Sequence, residues 1–271
     1  MKLKGGFLTV IFIILSLISI STPSSSKEIK SDRDVILVLG KGMSELRYML
    51  GVFALIGANI KYKAPKRRLK SSIKEYEERI TALQKRYSSG RIAESLEKTL
   101  KAWLSVKDDL VKVFNTDTPK VEIRKRAIDI HSKIRAVIKE LEHMKNIIVE
   151  ESDLLNIKEL NAAIEINSSI RRISSHYYMK MWNLDDPTIY QHWDRGLKIY
   201  RDSLDTLQHS KFLDDRKFNY LLDVIRDEYN FFMMLRRMSE SNMYTPALME
   251  EHTSRASKVA IEMIEKILDW D

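Results

Sequence analysis

Tyr76-Glu77-Glu78-Arg79-Ile80-Thr81-Ala82-Leu83-Gln84 returns later in the chain as Tyr200-Arg201-Asp202-Ser203-Leu204-Asp205-Thr206-Leu207-Gln208. Each copy spaces an aromatic, an aliphatic and a leucine by four and then three residues, which lays one apolar stripe along one helix face. The flanking positions keep step, with Leu69, Ile73, Tyr76, Ile80 and Leu83 corresponding to Trp193, Leu197, Tyr200, Leu204 and Leu207. The copies stand much farther apart than the roughly 20–50 residues of a solenoid repeat. A duplicated unit of domain size is the simpler reading.

Upstream, Ile36, Leu39, Met43, Leu46, Leu50 and Phe53 step by three and four, a seam suited to bundle packing that continues to Ile60. Lys63-Ala64-Pro65 ends this helix, and Pro65 is well placed as the first residue of the next. The second helix runs from Leu69 to Tyr87 and turns at Ser88-Ser89-Gly90. Ile92, Leu96, Trp103, Val106, Leu110 and Val113 line a third helix, stopped near Asn115-Thr116-Asp117-Thr118-Pro119, and Ala127 to Ile148 line a fourth. The second half repeats the plan: Ile164 to Leu184, a sixth helix opened by Pro187, Phe218 to Phe232, and Ala256 to Leu268. Ile92, Leu96, Trp103 and Val106 find counterparts in Phe218, Leu222, Tyr229 and Phe232. Short loops make consecutive helices antiparallel neighbours, so the expected fold is all-α, two tandem up-down four-helix bundles. Between Met144 and Ile164 there is neither Gly nor Pro, which favours one continuous rod joining stacked bundles; Ser152-Asp153 as a fresh helix cap is the alternative.

With 271 residues, 44% hydrophobic and 31% charged, the chain has the apolar content for one large core or two modest ones, which argues against disorder. Eight Gly and five Pro are few for this length and argue against a sheet-rich class. Lys2 and Lys4 precede an apolar run from Phe7 to Ser21, and Thr22-Pro23-Ser24-Ser25-Ser26 breaks it. This reads as an export signal at 1–26, cleaved near Ser19-Ile20-Ser21 or kept as an anchor through 7–21. The expected divisions are then 27–150 for the first bundle and 151–271 for the second, both in the periplasm or cell envelope. Without cysteine there is no disulfide, lipid-anchored cysteine or thiolate metal site. A net charge of +8 favours an anionic partner, and an exported location makes nucleic acid the weaker choice, so none is expected.

Leu39-Gly40-Lys41-Gly42-Met43-Ser44-Glu45-Leu46-Arg47-Tyr48-Met49 resembles the N-L-A-G-R-Q-R-M-L-S-Q-R-M signature of PilJ-type sensory domains, found at the N-terminus of type IV pilus chemotaxis transducers and related to nitrate and nitrite sensor domains. Ile166-Asn167-Ser168-Ser169-Ile170-Arg171-Arg172-Ile173-Ser174-Ser175-His176-Tyr177-Tyr178-Met179 resembles a second copy in the same register. Gly40, Lys41 and Met49 match in the first copy, and Asn167, Arg171 and Met179 in the second. The signature's two core arginines stand here as Met43 and Tyr48, and as Ile173 and Tyr178. The resemblance implies a sensory or binding module, not an enzyme, that recognises a small anion or a pilus or envelope protein and hands its bound state to a membrane signalling partner. It also implies a homodimer as one mode of assembly. By the same resemblance Lys41, Arg47, Arg171 and Arg172 are the candidate anion ligands. The alternative is a structural or adaptor bundle that has lost its ligand.

Lys61, Lys63, Lys66, Arg67, Arg68 and Lys70 crowd the first helix turn, either as a docking tip for an acidic partner or as a solvated loop. Glu140-Leu141-Glu142-His143 has the Glu-x-x-His spacing of a di-iron bundle, but no second copy exists, so neither metal nor cofactor is expected. His131, His176, His192, His209 and His252 lack ligand spacing and read as surface or boundary residues. Asp108-Asp109 and Asp185-Asp186 lie near helix ends and read as caps or exposed charge, and the four tryptophans as core. No G-x-S-x-G, phosphate loop or zinc signature is present, so no catalytic residue is expected.

Overall fold

A computed structural model of the chain describes residues 29–114, 120–152, 155–184 and 186–270. Among these residues there are eight α-helices, two short 3-10 turns and no strand. The helices are α1 (Asp32–Gly57), α2 (Pro65–Arg86), α3 (Gly90–Val111), α4 (Lys120–Glu151), α5 (Ile157–Met181), α6 (Thr188–Gln208), α7 (Arg216–Glu240) and α8 (Pro246–Leu268). The export segment at 1–26, the turn Asn115 to Pro119, and Asp153 and Asp185 lie outside the described residues.

Local sequence sets the helix ends. Ser31 accepts from the Asp34 amide at 3.2 Å while the Asp34 carboxylate accepts from the Ser31 amide at 3.0 Å, a reciprocal pair that satisfies two of the donors a helix start leaves open. Pro65 opens α2, and Gly90, at φ +85°, takes a backbone conformation that side chains disfavour. Pro187 precedes the first turn of α6.

The duplicated motif is core in both places. Tyr76 and Tyr200 are fully buried, the first with its ring 4.5 Å from Trp103 and the second 5.4 Å from Tyr229. The Tyr200 hydroxyl donates to the Ile225 carbonyl at 3.0 Å. α1 packs on α2 and α4, and α3 on the same two; α5 packs on α6 and α8, and α7 on the same two. The seam between the halves is α1 against α5.

The other helices bury one stripe, whereas α1 and α5 bury most of their circumference. Small residues make this approach possible. A β-carbon on Gly40 meets the Ile164 side chain at 2.9 Å, one on Gly51 meets the Ser175 backbone at 3.3 Å, and one on Gly57 overlaps the Trp182 indole. These three contacts advance together along both helices, so α1 and α5 run parallel.

That arrangement corrects the expected rod. α4 stops at Glu151, Asn156 adopts φ 58°, and α5 begins at Ile157. Asn enters the left-handed region more readily than most residues, so the chain is able to turn here with neither Gly nor Pro. The halves lie side by side along α1 and α5 rather than end to end.

Candidate functional site

Because α1 and α5 each touch helices on both sides, their seam has two flanks. Arg171 and Arg172 are neighbours on α5, and a helix turns successive side chains by about 100°. Accordingly they serve different flanks.

On the α2–α8 flank a buried carboxylate ties the polar groups together, with Arg68 Nη1 left unpartnered. Arg68 of α2 donates from Nη2 to Glu250 Oε1 of α8 at 2.6 Å and from Nε to the Tyr48 hydroxyl at 2.6 Å. Tyr178 of α5 donates to the other Glu250 oxygen at 3.2 Å. The Arg171 guanidinium lies over the Tyr48 ring at 4.6 Å. Burial, reinforced by the Glu250 carboxylate, pushes the Tyr178 phenol well above its ordinary range, so it stays a donor.

The α4–α6 flank opens instead as a cleft of about 510 Å³. Arg47 comes to it from α1, His131, Arg135, Lys139 and Glu142 from α4, Arg172 and His176 from α5, and His192 and Arg195 from α6. Arg47 is only 5% exposed, yet its Nη1 has no hydrogen-bond partner, and neither has Nη1 of Arg172. Glu142 Oε1 stands 3.6 Å from Arg47 Nη2, a long ion pair. Burial lowers the pKa of Arg47 against the opposing pull of Glu165 and Glu142. Burial and then the nearby Arg47 charge bring Arg172 down to about 9. Arginine keeps its charge at neutral pH, and both guanidiniums are short of acceptors.

The three histidines dispersed in sequence meet here, with ring centroids 5.0 to 5.5 Å apart. His176 Nδ1 lies 2.7 Å from the Arg172 carbonyl, which fixes the proton on that nitrogen. Its bare Nε2 then accepts from His131 Nε2 at 3.2 Å, and His192 Nε2 accepts from Arg135 at 3.0 Å. Burial, followed by the neighbouring His192, lowers His131 to about 4; burial and then His131 hold His176 well below its ordinary value; burial and then Arg135 lower His192. The cluster is neutral at pH 7, with the bare Nε2 of His176 and of His192 each engaged by a neighbour and guanidinium groups around it. Among the described residues no group of three or more His, Asp or Glu is disposed to hold a metal.

Of the four candidate anion ligands, Arg47 and Arg172 share the cleft, Arg171 belongs to the other flank, and Lys41 lies in a separate groove with Ser71, Lys74 and Glu75. The histidines read as surface or boundary residues need correction: His131 and His176 are buried, 4% exposed each, and His192 is half-buried beside them. They sit on three different helices, so no local spacing announces them. Arg135, Lys139 and Arg195 were unremarkable for the same reason. At the first helix turn Lys61, Lys63, Lys66, Arg67 and Lys70 are exposed, while Arg68 turns inward to Glu250. Asp109 is not an exposed charge: it is 8% exposed and accepts from Lys112 at 2.9 Å and Lys133 at 2.7 Å.

Among the described residues no helix is long and apolar enough to cross a membrane. No family model, curated protein or solved structure matches this chain.

Proposed function

We propose that this chain is a non-enzymatic helical binding module whose ligand is a small anion held in the α4–α6 cleft. The observation that carries this reading is Arg47, a guanidinium 5% exposed that lines the cleft with an unpartnered Nη1 and has its Glu142 partner only at 3.6 Å. A buried cation without full hydrogen bonding is costly, and an anion entering the cleft relieves that cost. The repeat and the helix pairings support two tandem four-helix units on the PilJ-type plan, carried behind an export segment. Within that plan the module reports ligand binding to a membrane partner. A ligand that bridges Arg47 of α1 and Arg172 of α5 bears directly on the seam between the halves, and packed helices shift between discrete arrangements only when a ligand prefers one.

The test is thermal unfolding of the purified chain across a panel of small anions at constant ionic strength. A rise in melting temperature that disappears in Arg47→Gln is expected; no rise with any anion would count against the reading. A second function is favoured by the exposed Lys61, Lys63, Lys66, Arg67 and Lys70: the α1–α2 turn as an adaptor surface for an acidic envelope protein. Capture of a partner by the wild type but not by a variant with these five changed to Gln would support it, and undiminished capture would remove it.

A further inference from the structure

The charge of the cleft says more than that its ligand is negative. Its lining holds five permanent cations, Arg47, Arg135, Lys139, Arg172 and Arg195, against one carboxylate, Glu142. Two more carboxylates face these groups from beside the lining: Glu165 of α5 acts on Arg47 and Arg172, and Asp186, before α6, stands 3.7 Å from His131 Nδ1. Counting both leaves a surplus of two positive charges. Glu165 is also shared with buried Lys145 at 3.5 Å, which enlarges the surplus. The histidines, neutral at pH 7, add none.

The surplus is also spread in depth. Arg47 is buried at the floor and Arg172 is half-buried, while Arg135, Lys139 and Arg195 are exposed at the mouth. A single-charge oxyanion on the floor satisfies Arg47 and Arg172 but leaves the mouth cations repelling one another. A volume of about 510 Å³ is larger than such an ion needs and lies in the range of small-molecule sites, roughly 300–1,000 Å³.

We infer that the ligand of this cleft is a small multivalent oxyanion, a molecule with two or more carboxylate or phosphate groups, one held at the floor by Arg47 and Arg172 and another at the mouth by Arg135, Lys139 and Arg195. The inference rests on the reading of the cleft as an anion site. Guanidinium groups suit either chemistry because their planar fork matches both carboxylate and phosphate.

Isothermal titration of the purified chain with succinate, citrate, inorganic phosphate and pyrophosphate, beside nitrate and acetate at matched ionic strength, tests it. At least one multivalent anion is expected to bind about tenfold or more tightly than either monovalent one, because it gains charge-assisted contacts at the mouth that a monovalent ion on the floor does not make. Preference within the multivalent set separates the carboxylate source from the phosphate source. Arg172→Gln and Arg195→Gln are each expected to weaken that binding by about fivefold or more. Glu142→Gln, which removes the lining carboxylate, is expected to tighten it, and Lys198→Gln, a loss of the same charge on an exposed stretch of α6, to leave it unchanged. Nitrate or acetate binding as tightly as every multivalent anion would overturn the inference and leave the anion site standing. No binding by any anion would overturn both. Binding indifferent to Arg172→Gln, Arg195→Gln and Glu142→Gln would place the anion elsewhere, with the same result.

Discussion

The two flanks of the α1–α5 seam solve one problem in opposite ways. Each collects arginine and ring side chains from several helices, in a place where unpaired charge is costly. On the α2–α8 flank the chain supplies its own anion: Glu250 takes Arg68 on one oxygen and Tyr178 on the other. On the α4–α6 flank Arg47 and Arg172 share a cleft and each keeps an unpartnered nitrogen. Arg68 Nη1 is unpartnered too, so the difference lies in the carboxylate: the first flank holds Glu250 at 2.6 Å from Arg68, whereas the second holds Glu142 at 3.6 Å from Arg47 beside an open cleft. A structural element is expected to look like the former and a binding site like the latter.

The largest test of this contrast removes the internal anion. Glu250→Ala leaves Arg68 and Tyr178 facing a void with no acceptor, and breaking a buried ion pair from one side costs about 3–5 kcal/mol. Denaturant unfolding of the variant against wild type reads it directly. A loss below about 1 kcal/mol would mean that solvent reaches the pair and that this flank is no more complete than the other.

Acid acts on the α4–α6 flank through its buried histidines. His131 is held at about 4 in the folded chain, chiefly by burial, against about 6.5 when unfolded. The unfolded chain therefore binds more protons between these values, and stability falls as pH drops from about 6.5 through about 4. The integrated loss attributable to this group approaches about 3 kcal/mol. His131→Gln is expected to flatten that limb of a stability-versus-pH curve while leaving the neutral plateau nearly level. An unchanged limb would show that other groups carry the titration.

A third variant strains both flanks together. Gly51→Leu puts a side chain where even a β-carbon stands 3.3 Å from the Ser175 backbone, and overpacking of this kind costs about 1–3 kcal/mol. Parting α1 from α5 here is expected to weaken anion binding more than it weakens the chain, since Arg47 and Arg172 sit on opposite walls of the seam. Equal affinity in the variant and wild type would separate the cleft from the seam.

Helix type, many of the boundaries and the buried stripes were legible because they are local: periodicity, caps, Pro65 and Gly90 speak within one or two turns. Arg47 and Arg172 were reachable because both lie in the repeated first helix of each half. The rest of the cleft was not, since His131, His176 and His192 come from three helices whose rotation and register are set only by packing. The side-by-side halves were hidden for a related reason. Gly40 and Gly51 look like ordinary helix glycines until α5 lies against them, and Asn156 turns the chain without the Gly or Pro that usually marks a reversal. Arg68 shows the converse: its neighbours in sequence are exposed, and only Glu250 from a distant helix explains why it points inward.

The smallest expected change decides most between the flanks. Arg47→Met keeps much of the side-chain volume and removes a buried charge that folding leaves short of partners. Removing one partner of an ion pair costs little when the other can be hydrated, and Glu142 is partly exposed, so the change is expected to stay within about 1 kcal/mol of neutral. Set beside the several kcal/mol lost in Glu250→Ala, this near-zero value would mark Arg47 as a residue retained for its ligand rather than for the fold. Its second signature is that added anion no longer raises the melting temperature of the variant. Were Arg47→Met instead to cost as much as Glu250→Ala, the guanidinium would belong to the scaffold on both flanks, and the contrast on which the anion site rests would be gone.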